Sequence, residues 1–299
     1  MRARGDLLYG AAAAVLSLAG AVYFLSLWEA DLRVPFTYFG DVNLQHFLVK
    51  SVIDQGWFYE NDLVGAPYGH ELYDYPVLSG ETLNVVVIWL LGLLGFGSAA
   101  AMNTLYLLSF PAAGLAAYLV FRRLGARPEP SLLCAVLFTL LPYHFIRSEG
   151  HLFLATYYAV PVGAYLVLAV LGGEELLRGR RGTLVTVALA ALVAVASGSF
   201  YYAVFTVVLV VVAAVLRFVG TRERRAVLAA AVVVGTILTV SLLQLAPTLV
   251  YTAVNGSNDQ VAERFTFESE VYSLKLTQLV LPLDYHRIGA LARVKQRYT

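Results

Sequence analysis

Seven apolar runs dominate the chain, at roughly residues 7–27, 83–96, 99–121, 131–146, 152–171, 184–217 and 226–250. Several are long enough to carry an α-helix through a hydrocarbon layer about 30 Å thick, and inside lipid a helix pairs its own backbone N–H and C=O groups. A soluble domain carries roughly a quarter charged residues. Here 14% of 299 residues are charged and mean hydropathy is +0.71, too little charge to cover a water-facing surface. The expected fold is an all-α, polytopic transmembrane helical bundle. A net charge of +1 gives no footing for a nucleic-acid partner. Cys134, the single cysteine, lies inside an apolar run, so neither an intrachain disulfide nor a cysteine metal site is available.

The charges between the runs set an orientation. The N-terminus reads Met-Arg-Ala-Arg before an apolar stretch from Leu7 to Leu27, too long for a signal peptide and without a small-residue cleavage site, so it is read as a retained span. Three basic clumps follow: Arg122, Arg123 and Arg127; Arg178, Arg180 and Arg181; Arg217, Arg222, Arg224 and Arg225. The positive-inside rule places all three in the cytoplasm with Arg2 and Arg4. Residues 182–216 must then cross an even number of times, as two short helices hinged near Ser197–Tyr202. Residues 82–121 must cross an odd number of times, which makes 83–96 a re-entrant or interfacial helix. The alternative, two true spans with the Arg122 loop outside, breaks the charge rule. The count is about seven spans in one transmembrane domain, 1–299, in the cell membrane. The N-terminus is inside, and outside lie a large first loop (28–82), a turn at 147–151 and a C-terminal segment (251–299). That segment ends without a closing span, the pattern of an architecture that continues past such a point.

The outer loops carry the candidate chemistry. In loop 28–82, Tyr38-Phe39-Gly40-Asp41 leads into a helical pattern with Asn43, His46, Lys50 and Asp54 on one face and Leu44, Phe47, Leu48 and Val52 on another, an amphipathic helix suited to the membrane surface. Asp41 at its start is a candidate general base for an acceptor hydroxyl, or a ligand for a divalent cation such as Mg or Mn. Read locally, it is an N-cap. Further on, Gly65–Pro76 is fixed by prolines, glycines and tyrosines and holds His70, Glu71 and Asp74, a candidate sugar- or phosphate-positioning loop; the plain alternative is an ordered interface loop with tyrosines at headgroup level. At the 147–151 turn, Arg147 and His151 are candidates to hold a lipid-linked phosphate, with Glu149 orienting either of them; a solvated Arg–Glu turn is the alternative. In the tail, Asp259, Glu263, Arg264, Glu268, Glu270 and Leu281–Arg287 form a candidate cover, and Phe265/Phe267 alternating with Glu268/Glu270 reads as a short strand or a surface segment.

With Gly40-Asp41 just after the first span, an amphipathic helix behind it, and Arg147 with His151 in a short outer loop, the layout resembles the GT-C fold membrane glycosyltransferases that use polyprenyl-phosphate-linked sugars. The resemblance implies a seven-span module with interfacial helices in the first external loop, and transfer of a sugar from a polyprenyl-phosphate donor to a glycan, lipid or protein acceptor on the non-cytoplasmic face. It implies Asp41 as catalytic base or metal partner, with His46, His70, Glu71, Asp74, Arg147, Glu149 and His151 in substrate binding. Two departures stand out. Many members carry paired acids, whereas Val42-Asn43 follows Asp41 and Glu29-Ala30-Asp31 offers a rival acid pair; members also extend beyond the seven-span module. The other readings are a transporter or flippase for lipid-linked substrates, against which stand ionisable residues gathered outside and no visible repeat, and a non-catalytic partner in a cell-envelope complex.

Overall fold

The computed structural model describes residues 2–65, 67–75, 78–258, 265–272, 276–279, 281–282 and 288–298. Two compact units divide the chain, Met1–Gly256 and Ser257–Thr299. The first runs α1 (Arg2–Phe24), α2 (Val42–Gln55), β1 (Glu60–Asn61), β2 (His70–Glu71), α3 (Thr82–Leu93), α4 (Ser98–Arg123), α5 (Pro128–Thr139), α6 (Pro142–Arg147), α7 (Leu152–Ala155), α8 (Val160–Gly172), α9 (Gly179–Val195), α10 (Tyr201–Thr221) and α11 (Arg224–Asn255). It is a helical bundle. Among the described residues, six stretches are long and apolar enough to cross a membrane: Gly5–Phe24, Ser98–Arg123, Pro128–Arg147, Glu149–Gly172, Tyr201–Thr221 and Arg224–Asn255.

Six such helices fall one short of the seven expected, and the reason is local. Segment 182–216 does divide near Ser197, but α9 has 17 residues and begins with Arg180 and Arg181. The chain leaves the helix at Ala196, and Gly198, Ser199 and Phe200 all take positive φ before α10 starts. Helix α3, at 12 residues, is about 18 Å long, too short to cross alone. It packs along α2, where a Cβ on Gly92 would sit 2.7 Å from Ile53 Cδ1.

Three apolar clusters hold the unit. Val49, Ile88, Met102, Tyr106 and Phe110 join α2, α3 and α4 to Leu152 and Phe153. Ala13, Ala117, Tyr118 and Ala135 join α1, α4 and α5. Leu166, Val193, Val210, Val233 and Ile237 join α8 to α11. Lipid tails are as apolar as leucine, so helices in a bilayer gain most from close backbone approach over small residues. At the α1–α4 crossing a Cβ on Gly114 would strike Ser17 Oγ and lie 3.0 Å from the Ala13 carbonyl.

The two ends of the bundle differ in chemistry. At one end the basic clumps close on acids: Arg122 with Asp6 (2.7 Å), Arg123 with Glu174 (3.2 Å) and Arg225 with Glu175 (3.3 Å). At the other, loop 28–82 meets the chain between α5 and α8 and the break between α9 and α10. A two-strand antiparallel ladder, Glu60 opposite Glu71 and Asn61 opposite His70, folds the first loop on itself.

The second unit holds α12 (Glu268–Tyr272) and α13 (Gly289–Tyr298). The strand expected over 265–270 is a turn followed by a helix, because Glu268 and Glu270 donate their N–H groups back to Phe265 and Phe267; the two rings stack with centroids 5.6 Å apart. Asp259, Glu263, Arg264 and the Leu283–Arg287 stretch lie outside the described residues.

Gly114→Val is expected to force α1 away from α4 and cost about 2–3 kcal/mol. Gly220→Ala, with nothing within 4 Å of the new Cβ, is expected to be neutral or slightly stabilising. Thermal unfolding of the two variants in one detergent compares them directly; equal midpoints would show that the crossing tolerates a side chain.

Candidate functional site

The site is assembled from three distant pieces of chain at one end of the bundle. Phe36–Asp41 approaches α2, and Gly40 at φ +68 makes the turn that delivers Asp41 to the helix start. Asp41 occupies the N-cap position, yet its side chain makes no capping hydrogen bond. The carboxylate is 62% exposed and lies 3.9 Å from His151 Nδ1. On the His151 ring, Nδ1 also lies 2.6 Å from the Gly150 carbonyl. A proton on Nδ1 serves that carbonyl and leaves Nε2 as the open lone pair.

Glu149 does not orient Arg147 or His151. It is fully buried, and its Oε2 accepts the Phe36 N–H at 2.7 Å. It therefore pins the strand of loop that carries Asp41. Oε1 is buried without a hydrogen-bond partner, a cost of about 1–3 kcal/mol in ordinary folding terms. Asn103 on α4 adds two more ties to the same loop, donating to the Leu32 and Val34 carbonyls.

Between Arg147 and Glu149 the backbone is strained: Ser148 has φ 43° and ψ −149°, a region a non-glycine residue occupies only when its surroundings hold it there. The turn sends Arg147 one way and Glu149 the other. The Arg147 guanidinium lies 5.4 Å over the Tyr143 ring and forms no ion pair among the described residues. Tyr143 in turn shares a hydrogen bond with Tyr202 (3.0 Å) at the start of α10. An arginine stacked on an aromatic face, without a carboxylate, keeps its planar fork of N–H donors open for two oxygens of an anion such as phosphate.

The rival acids are already engaged. Arg33 grips Asp31 through both oxygens, at 2.9 and 2.8 Å, and that guanidinium holds the Asp31 carboxyl down at about 2. Glu29 accepts the Trp28 indole N–H. Asp41 is left as the acid of this loop segment with an open carboxylate beside His151.

The remaining expected residues fall into separate clusters. His46 leaves the polar face of α2 to bond Ser98 Oγ at 2.8 Å; burial, with Lys50 beside it, pushes its pKa down. His70 and Glu71 sit on β2. His70 packs 5.5 Å from the Phe47 ring, and Glu71 accepts the Tyr251 hydroxyl at 3.2 Å. Tyr59, Tyr73 and Tyr251 stack in a column whose rings are 4.8 and 5.3 Å apart, with Asp74 in the turn beside it. For the cation, no group of three or more His, Cys, Asp or Glu among the described residues is placed to hold a metal ion. Asp41 and His151 supply two such donors.

A buried polar network beneath the site escapes sequence reasoning. Glu81, fully buried, accepts the Ser199 N–H at 2.5 Å, and the N–H groups of Gly198 and Ser197 also face it. Asn84 donates to Glu81 Oε2 (2.6 Å) and to Thr156 Oγ1 (3.0 Å) and accepts from Tyr158 (2.8 Å). Ser197 donates to the Gly80 carbonyl through both N–H and Oγ. Gly80 has to be glycine: a Cβ would come 2.6 Å from Ser197 Oγ and 3.1 Å from Phe200 N. The one sequence signal was an isolated acid at the edge of an apolar run.

A family model described as a domain of unknown function, DUF6311, matches residues 84–297. The match takes in Arg147, Glu149 and His151 and begins downstream of Asp41. No curated protein and no solved structure matches the chain.

Burial pushes the Glu81 carboxyl from an ordinary 4.5 up to about 8, against N–H donors that favour the anion. The native state then keeps a proton that the unfolded chain releases above 4.5. Stability is expected to fall as pH rises from about 4.5 to 8, by an amount on the order of 3–5 kcal/mol, and to level off above. Unfolding curves across that range should show the slope in the wild type and lose most of it in Glu81→Gln. A wild-type curve that is flat or rises with pH would show that the hydrogen bonds outweigh desolvation.

Proposed function

We propose that this chain, which belongs to the DUF6311 family, is an integral membrane glycosyltransferase that moves a sugar from a polyprenyl-phosphate donor to an acceptor hydroxyl on the non-cytoplasmic face. The observation that carries the reading is the pairing at one end of the bundle of an uncommitted carboxylate, Asp41, with His151, while Arg147 of the adjoining turn is stacked and unpaired. Asp41 makes no capping hydrogen bond and has His151 at 3.9 Å as its neighbour, and Arg147 forms no ion pair among the described residues.

The topology supports it. Ion pairs from all three basic clumps share one end, and the positive-inside rule favours that end as the cytoplasmic one. Counting α9 as a short span gives seven crossings, with α3 lying along α2 on the outer side. Tyr38 and Phe39, 64% and 88% exposed just before Asp41, are placed to meet the lipid interface from which a polyprenyl donor arrives.

In this mechanism the donor enters sideways and its phosphate rests on Arg147, with His151 beside Asp41. Asp41 takes the proton from the acceptor hydroxyl. The acceptor oxygen bonds to the anomeric carbon as the bond from that carbon to the phosphate oxygen breaks, and the polyprenyl phosphate leaves with the electron pair. The anomeric centre inverts. A phosphate leaving group needs charge stabilisation more than a proton, which is the contribution of Arg147. Glu149 acts through the backbone, fixing the loop on which Asp41 stands. A divalent cation, if the reaction uses one, would find Asp41 and His151 as its protein ligands.

Purified protein in lipid, offered a panel of radiolabelled polyprenyl-phosphate sugars, is expected to transfer or hydrolyse label. Asp41→Asn should lose about 10²–10⁴-fold in rate, and Arg147→Gln about 10²-fold or more, with Arg147→Lys partly restoring it. Full activity in Asp41→Asn would remove the base assignment. No turnover by folded wild type with any donor would overturn the glycosyltransferase reading and favour a transporter or a non-catalytic partner.

A further inference from the structure

We propose that the seam between α4 and α9 is a binding groove for one anionic phospholipid, its phosphate held by Arg178 and Arg181 and an acyl chain laid along the helices. The groove is about 900 Å³, near the top of the roughly 300–1,000 Å³ range of ligand pockets. Its walls are α4 and α9 and its floor is α8, with Ala112, Ala116, Val162 and Leu189 among the lining residues. It lies where two of the apolar clusters adjoin, that of α8 to α11 and that of α1, α4 and α5. At the end near Asp41 that seam is sealed by the bonds from Asn84 to Thr156 and Tyr158 and from Glu81 to the α9–α10 turn. At the opposite end it is open. Protein interiors are packed nearly as tightly as organic crystals, so a void of this size on a membrane-facing seam calls for an occupant.

The chemistry of the lining selects that occupant. The polar groups deep in the groove are spent on the protein: Tyr158 donates to Asn84, and Thr186 to the Leu176 carbonyl. What remains along the walls is apolar and fits a hydrocarbon chain. The mouth carries three arginines, Arg123, Arg178 and Arg181, against one acid, Glu175, which Arg225 holds at 3.3 Å. Arg123 is occupied by Glu174 and Tyr165, and Arg178 holds Glu175 only loosely at 3.7 Å. Arg181 forms no ion pair among the described residues. An anionic phosphodiester with no cation of its own therefore meets the unpaired Arg181 and the loosely paired Arg178, where a choline headgroup would bring its ammonium against them. The groove opens at the end away from Asp41, so this lipid is distinct from the donor whose phosphate is assigned to Arg147.

The test is native mass spectrometry of the delipidated protein in non-ionic detergent, titrated with dioleoyl phosphatidylglycerol or dioleoyl phosphatidylcholine. One phosphatidylglycerol per chain is expected, favoured over phosphatidylcholine by about 10-fold or more. The double variant Arg178→Gln/Arg181→Gln should lose that preference. Ala116→Phe, which fills the groove, should weaken both lipids. Equal affinity for the two lipids in the wild type would overturn the proposal, and so would phosphatidylglycerol binding that survives both variants unchanged. Should Ala116→Phe fail to fold, the arginine pair still decides. None of these readouts depends on glycosyl transfer, so the groove and the proposed activity stand or fall separately.

Discussion

The buried carboxyl group of Glu81 is the interaction on which the arrangement at the site end depends. It sits at the entry to α3, holds the N–H groups of the turn between α9 and α10, and through Asn84 reaches the start of α8. Three segments far apart in sequence meet through Glu81 and Asn84. In a bilayer, apolar surface gives helices little reason to choose one neighbour over another, so hydrogen bonds and close small-residue contacts fix which helices meet. Three consecutive residues with positive φ, Gly198, Ser199 and Phe200, form a tight turn in which the Gly198 and Ser199 amides face Glu81 and the Phe200 amide donates to Ser197 Oγ. Without Glu81 the turn would leave buried N–H groups unpaired, and each would cost a kilocalorie or more.

The parts legible in the sequence were those set by local composition and by parity. Apolar runs marked the long helices, and three basic clumps with Arg2 and Arg4 gave an orientation that forced a break near Ser197 and left 83–96 without room to span. The structure has that break, and α3 is too short to cross. What the sequence hid was pairing at a distance. Glu149 looked like the partner of its neighbours Arg147 and His151, but its carboxylate turns to Phe36, 113 residues away. Asp41 looked like an N-cap, because an acid before a helix usually is one; only coordinates reveal that the cap bond is not made. The hairpin of β1 and β2 has two-residue strands, too short for any alternation to register. His46 shared a polar stripe with Lys50 and Asp54, yet α4 comes close enough to claim it through Ser98.

The same distinction bears on the candidate chemistry. Many polar groups at this end of the molecule are spent on structure: Asp31 on Arg33, Glu71 on Tyr251, Glu81 and Asn84 on each other and on the turn. A residue consumed by the fold is a poor candidate for proton transfer or substrate binding, since using it would mean breaking the bond that places it. Subtracting those residues leaves Asp41, His151 and Arg147, which keep free valence although the Phe36–Asp41 loop and the strained Ser148 turn are tightly held. Rigid support combined with uncommitted functional groups is how a binding or catalytic site differs from a structural ion network.

That subtraction also separates the acids by role. Asp41 stands on an exposed loop, its carboxylate open beside His151. Glu81 and Glu149 are both buried, and the amides they accept come from the turn and the loop that frame the site. Replacing either buried acid would act on the site through geometry, while replacing Asp41 removes a charge and leaves the backbone as it stands. The distinction is physical and follows from where each carboxylate's lone pairs are directed. Asp41 is therefore the acid at which a loss of activity would report chemistry and not folding.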